Sequence, residues 1–155
     1  MANNSLETWL SEYGESHQNP TNKKIHWVCV PLIFWCVLAL LWQIPLGPNP
    51  VMNAAVVLIA VCILYYSRLS WTLTIGMGIL VAVSVALILG YESLGLSLPL
   101  WIFALILFVL AWLGQFWGHR IEGKKPSFFK DIQFLLIGPA WLLSFVYQRL
   151  GIPLK

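Results

Sequence analysis

Three long stretches of the chain carry no Asp, Glu, Lys or Arg: Ile25 to Ser67, Leu69 to Tyr91 and Ser93 to His119. Apolar runs of about 18 or more residues with few charges read as membrane spans. The composition agrees. Apolar residues make up 59% of the 155 positions and charged residues 10%, against about 25% charged in a typical soluble domain. Eleven of the fifteen charges fall in residues 1–24 and 120–131, so water-facing chemistry belongs to those two segments. A net charge of +3 with few, juxtamembrane basic residues gives no support for nucleic-acid binding.

The pattern predicts an all-α, polytopic membrane helical bundle forming a single domain over residues 1–155. Four spans are expected, at about 27–46, 51–66, 71–89 and 100–118, each near the roughly 30 Å that twenty helical residues cover. Pro45, Pro48 and Pro50 separate the first two, Arg68 marks a tight turn, and Glu92 and Pro99 bracket the next connection. Trp27, Trp42, Trp71, Trp101 and Trp117 fall near span ends, as in an interfacial aromatic belt. Residues 5–16 read as a short amphipathic helix on the membrane surface, with Leu6, Trp9, Leu10 and Tyr13 on one face and Asn4 and Glu7 spaced as a capping box. Residues 17–24 read as a loop with Asn-Pro turn chemistry. The last apolar segment, 132–148, holds Gly138-Pro139 at its centre and is expected to be broken or re-entrant, with a kinked fifth span as the alternative. The polar, acidic N-terminus lacks the features of a cleavable signal peptide, so the first span is expected to serve as the insertion signal. Cys29, Cys36 and Cys62 lie inside apolar runs and read as packing residues.

Basic residues set the orientation. Lys23 and Lys24 precede span 1, Arg68 lies between spans 2 and 3, and Arg120, Lys124, Lys125 and Lys130 follow span 4, whereas 46–50 has no basic residue and 90–99 has only Glu92. Segments 17–26 and 119–131 are therefore expected on one, cytoplasmic, side.

That side carries every histidine of the chain: His17, His26 and His119. Imidazole is the commonest metal ligand near neutral pH, and three of three at one face point to a metal site, while a structural role is the usual reading of a single interfacial histidine. Glu122 shares a helical face with His119 if span 4 continues, and Glu15 and Asn22 sit near the other two. Tyr13 and Asn22 are candidates to orient ligands by hydrogen bonding. Gln115, one turn before His119 in an apolar span, needs a partner and is a candidate for a ligand or substrate contact. Lys23, Lys24, Arg120, Lys124 or Lys125 can attract an anionic headgroup, although all five also serve as topology signals.

Two motifs carry a resemblance. The run Tyr13-x3-His17-x4-Asn22-x3-His26-x4-Pro31 is followed far downstream by Gln115-x2-Gly118-His119-x2-Glu122-x3-Pro126. Together they resemble a small membrane-protein family, long catalogued as a domain of unknown function, that includes the yeast 2-hydroxy fatty acid dioxygenase of phytosphingosine breakdown. Many members have Gly near position 29, where this chain has Cys29. The resemblance covers essentially the whole chain. It implies an Fe(2+)-dependent dioxygenase that shortens a 2-hydroxy fatty acid by one carbon with O2, in fatty acid alpha-oxidation and sphingolipid degradation. It also implies His17, His26 and His119 as metal residues, with Glu122 as a motif residue. Three protein ligands on an octahedral ion leave three positions; a 2-hydroxy carboxylate can take two and O2 suits the third. The triad is either the three histidines or two of them with Glu122.

A zinc hydrolase with Glu122 as general base fits the same ligand types. A small scaffold or transporter is the non-enzymatic alternative, although no charge lies well inside a span, as ion pathways usually require. Three histidines are too few for a di-iron membrane hydroxylase or desaturase. Compact length and the absence of a retention tail point to a bacterial inner membrane, or to the endoplasmic reticulum in a eukaryote.

Overall fold

In the computed structural model, residues 6–129 and 132–154 are described. Six α-helices make up the fold, with no strand among the described residues: α1 (Leu6–Gly14), α2 (Pro20–Trp42), α3 (Ala54–Leu69), α4 (Trp71–Ser93), α5 (Leu100–Glu122) and α6 (Phe134–Leu150). A short 3-10 turn, Ser127–Phe129, lies between α5 and α6.

Three of these helices, α2, α4 and α5, are long and apolar enough to cross a membrane, not the four expected. The second expected span is α3, which has 16 residues. At 1.5 Å per residue it covers about 24 Å, short of the roughly 30 Å hydrocarbon core. Its apolar character is what the sequence displays; its length is set by Asn53, which caps its start, and Ser70, which ends it and caps α4.

The first expected span is shifted toward the N-terminus. Helix α2 begins at Pro20, not near Trp27, and ends at Trp42, leaving 43–53 as a linker pinned by a bridge between Pro45 and Asn53. Asn19 and Pro20, expected to form a turn, are the helix start. The Asn19 side chain accepts from the backbone N–H groups of Thr21 and Asn22, and Pro20 occupies the first turn, where its missing N–H costs nothing. Asn22 and His26 thereby become helical neighbours one turn apart.

Segment 132–148 is not broken. Helix α6 runs continuously through Gly138 and Pro139, both buried. Pro139 forfeits one backbone hydrogen bond, but the pair permits close packing: a Cβ on Gly138 would sit 3.0 Å from the Tyr13 hydroxyl. Helix α1 lies against this surface. Its apolar face, Leu6, Leu10 and Tyr13, joins the core clusters that include α6 residues Ala140, Ile137 and Trp141, so that face is covered by protein. Asn4, the proposed start of the capping box, lies outside the described residues, as does Lys130.

Helices α2 to α5 run up and down. The end of α2 meets the start of α5 in a dry cluster of Leu38, Ala39, Ala55, Ile88, Leu100 and Ala104. At the opposite end the Tyr66 hydroxyl donates to the Leu136 carbonyl and that of Tyr147 to the Thr72 carbonyl, tying α3 and α4 to α6. The most extensive contact is between α2 and α5. Gly114 and Gly118, one turn apart, make it possible: a Cβ on Gly114 would lie 2.9 Å from the Cys29 sulfur, and one on Gly118 would run into the Asn22 amide oxygen. Small residues at this spacing let helix backbones approach closely. The outer face of α5 is apolar and exposed, with Leu105, Val109, Leu113 and Trp117 among its residues.

Candidate metal centre

Three elements supply one imidazole each. His17 comes from the α1–α2 loop, His26 from the second turn of α2 and His119 from the last turn of α5, and all three are buried. One ligand-capable nitrogen from each lies within 4.8 Å of the others. The backbone fixes how two of the rings point. The Tyr13 carbonyl accepts from His17 Nδ1 at 2.6 Å, and the Asn22 carbonyl accepts from His26 Nδ1 at 3.0 Å. With protons on both Nδ1 atoms, the two Nε2 lone pairs face each other at 3.0 Å. Bare lone pairs at that separation repel, and a cation between them removes the repulsion. Two nitrogens bound at about 2.0–2.1 Å to one ion lie roughly 3.0–3.4 Å apart. His119 Nδ1 is buried without a hydrogen-bond partner, although a buried polar atom normally has one. The donor set therefore fits a metal ion.

The surroundings keep the rings neutral and fixed. Burial, reinforced by His26 and His119, lowers the His17 pKa to about 3 against the opposing pull of the Tyr13 carbonyl and Glu122, so the lone pair a metal requires is present at neutral pH. The Tyr13 ring stacks on His17 with centroids 4.1 Å apart and planes 12° from parallel. Burial pushes the Tyr13 phenol above its usual range, so its hydroxyl keeps its proton. Trp141 flanks His17 from α6, and the Ser16 hydroxyl bridges His17 to Ser127. Neither Trp141 nor Ser127 stood out in the sequence. Trp141 is one of many aromatics in an apolar run, and Ser127 is one serine in a loop.

Glu122 is placed beside the cluster with its oxygens turned to the backbone. One accepts from the Gln18 N–H at 2.9 Å; the other accepts from the Asn19 N–H at 2.8 Å and the Asn22 amide at 3.0 Å. The carboxylate thus caps the positive end of α2 and clamps the loop that carries His17. Asn22 is fully buried; its amide also donates to the Ser16 carbonyl, and its own carbonyl orients His26. Gln115 is buried and engages the His26 side chain.

Below the histidines lies a cavity of about 310 Å³. Tyr13, His26, Gln115 and His119 stand at its head, and its walls come from α2, α3, α5 and α6, including Val30, Phe34, Cys62, Trp112 and Pro139. Helix α5 leans on α2 and has no comparable contact with α3 or α6, which leaves the space between them. Lys23, Lys24 and Arg120 do not line this cavity. Lys124 and Lys125 line a second, water-facing hollow with Glu12 and Glu15, and Lys124 donates to the Glu15 carbonyl at 2.7 Å.

Fold and site together define a class: an apolar helical bundle with three helices able to cross a membrane and a buried three-histidine cluster, suited to a metal ion, at the head of an apolar cavity. The chain belongs to the 2-hydroxy-palmitic acid dioxygenase Mpo1-like family, whose model matches residues 3–150. No curated protein and no solved structure matches it.

Proposed function

We propose that this chain is an Fe(II)-dependent dioxygenase that shortens 2-hydroxy long-chain fatty acids by one carbon. The observation that carries the reading is the convergence of His17, His26 and His119, the last two of which line the head of a cavity with apolar walls. One O2 balances the reaction: 2-hydroxy acid plus O2 gives the acid one carbon shorter, carbon dioxide and water. Iron held by the three histidines would supply activation of O2 and a chelation point for the carboxylate and 2-hydroxyl oxygens.

The chain's own residues orient and exclude. The cavity takes the acyl tail, which fixes the C1–C2 bond at the histidine end, and such positioning is itself catalytic. Gln115 and the neutral Tyr13 phenol stand at the head of the cavity, where the polar end of the substrate lies. Glu122, Asn22 and the Tyr13 ring hold the imidazoles in place. The gap beside α5 gives a lipid-borne acid access from the membrane. The positive-inside pattern favours a cytoplasmic site, in a bacterial inner membrane or the endoplasmic reticulum. A zinc hydrolase would need Glu122 as a base, and its carboxylate is instead engaged by three N–H donors.

Anaerobic purification followed by metal analysis, then addition of Fe(II), O2 and a 2-hydroxy long-chain acid, tests the reading. The expected outcome is an O2-dependent yield of the acid one carbon shorter that is abolished by chelation. Turnover independent of iron, or none with any 2-hydroxy acid, sinks it.

A further inference from the structure

The cavity has a defined floor as well as a head. Of its lining residues, those nearest the cluster of Leu38 and Ala104 along their helices are Val37 on α2, Leu58 on α3 and Phe108 on α5. One residue further along α2, Leu38 belongs to the packed cluster with Ala39 and Ala104, each no more than 2% exposed, which seals the space. Because α2 and α5 run antiparallel, the floor is equally far from both helical histidines: Val37 follows His26 by eleven positions, and Phe108 precedes His119 by eleven. Eleven helical residues advance about 16 Å. An extended chain gains about 1.2 Å per backbone bond, so that depth holds roughly thirteen carbons.

We propose that Val37, Leu58 and Phe108 form a ruler that sets the acyl chain length this site accepts. The proposal deepens the reading of the site as one for 2-hydroxy fatty acids and rests on it for substrate class. Roughly thirteen carbons fit between the histidines and the floor, and a longer tail must leave through the gap beside α5. Phe108 and Val37 are both only partly buried, so the floor can be changed without emptying the core.

The test compares the full chain with Phe108→Ala, Val37→Phe and, as a control on the outer face of α5, Leu105→Ala. Each is given an equimolar ladder of 2-hydroxy acids from octanoic to icosanoic length, and separately the unsubstituted acids of the same lengths. Retained acids are read by native mass spectrometry and products by chain length. Phe108→Ala is expected to move the preferred length up by about three to four carbons, the depth of a phenyl ring. Val37→Phe is expected to move it down by a similar amount, and Leu105→Ala to leave it in place. An unshifted profile in both floor variants overturns the ruler, as does failure to retain any acyl chain. If unsubstituted acids shift as expected while 2-hydroxy acids gain nothing over them and are not turned over, the ruler stands and the dioxygenase reading falls.

Discussion

At its histidine end, the α2–α5 pair buries Asn22, His26, Gln115 and His119, with His17 from the adjoining loop. Twelve or more residues further along the same two helices, the interior is Leu38, Ala39, Leu100 and Ala104, with Trp35 packed against them. Buried polar groups cost free energy unless they are paired; the histidine end leaves His119 Nδ1 and the Asn22 amide oxygen without partners, and the apolar end leaves Trp35 Nε1. The indole N–H can only donate, whereas the unpartnered atoms of the polar end include acceptors that a ligand can use. One helix pair thus serves as both frame and site, and the two ends should respond differently to substitution.

The largest separation is expected from the ligands themselves. His26→Ala should abolish stoichiometric metal and lower activity by more than the roughly 10–100-fold typical of losing an outer-shell partner, while helix content is kept. His17→Ala and His119→Ala should behave alike, and activity that survives any one of them removes that residue from the site. Glu122→Ala should follow, with metal affinity reduced about 10–100-fold although every histidine remains; unchanged metal binding by calorimetry would show that the loop holds its shape without the clamp. At the dry end, Leu38→Ala should cost about 2–5 kcal/mol of stability, read as unfolding in detergent, with metal content per folded molecule unaltered. Loss of metal there would break the comparison between the two ends. The smallest effect is expected for Tyr13→Phe, which keeps the ring stacked on His17 and changes turnover by less than about tenfold, under ~1.4 kcal/mol. A larger loss would assign the hydroxyl a chemical role.

Much of this was legible in the sequence because it rested on scarcity. Only three histidines exist, and the uncharged stretches force them to one end of the bundle. What the sequence obscured has physical causes. Asn19-Pro20 serves equally well in a turn and as a helix cap followed by a first-turn proline, and the adjacent Lys23 and Lys24 made the water-facing turns of α2 look like a loop. Hydropathy registers apolar character but not where hydrogen bonding stops, so α3 read as a full span. The proline rule predicted a break at Pro139, because it counts the lost hydrogen bond and not the packing of Gly138 on Tyr13. Trp141 gave no periodic signal, since nearly every neighbour is apolar too. Glu122 appeared as a possible ligand because spacing reports which helical face a residue occupies and not which way its carboxylate turns.

The grip of Glu122 on the backbone of Gln18 and Asn19 joins positions 104 and 103 apart in the chain. During synthesis, the loop bearing His17 leaves the ribosome long before the residue that clamps it and before His119 exists. An intermediate that ends short of α5 holds two imidazoles and no closing carboxylate, so its metal site is incomplete by construction. On the proposed reading, capture of an ion is thereby tied to the completion of α5, and a chain that stalls or inserts this helix wrongly lacks both the third imidazole and the clamp.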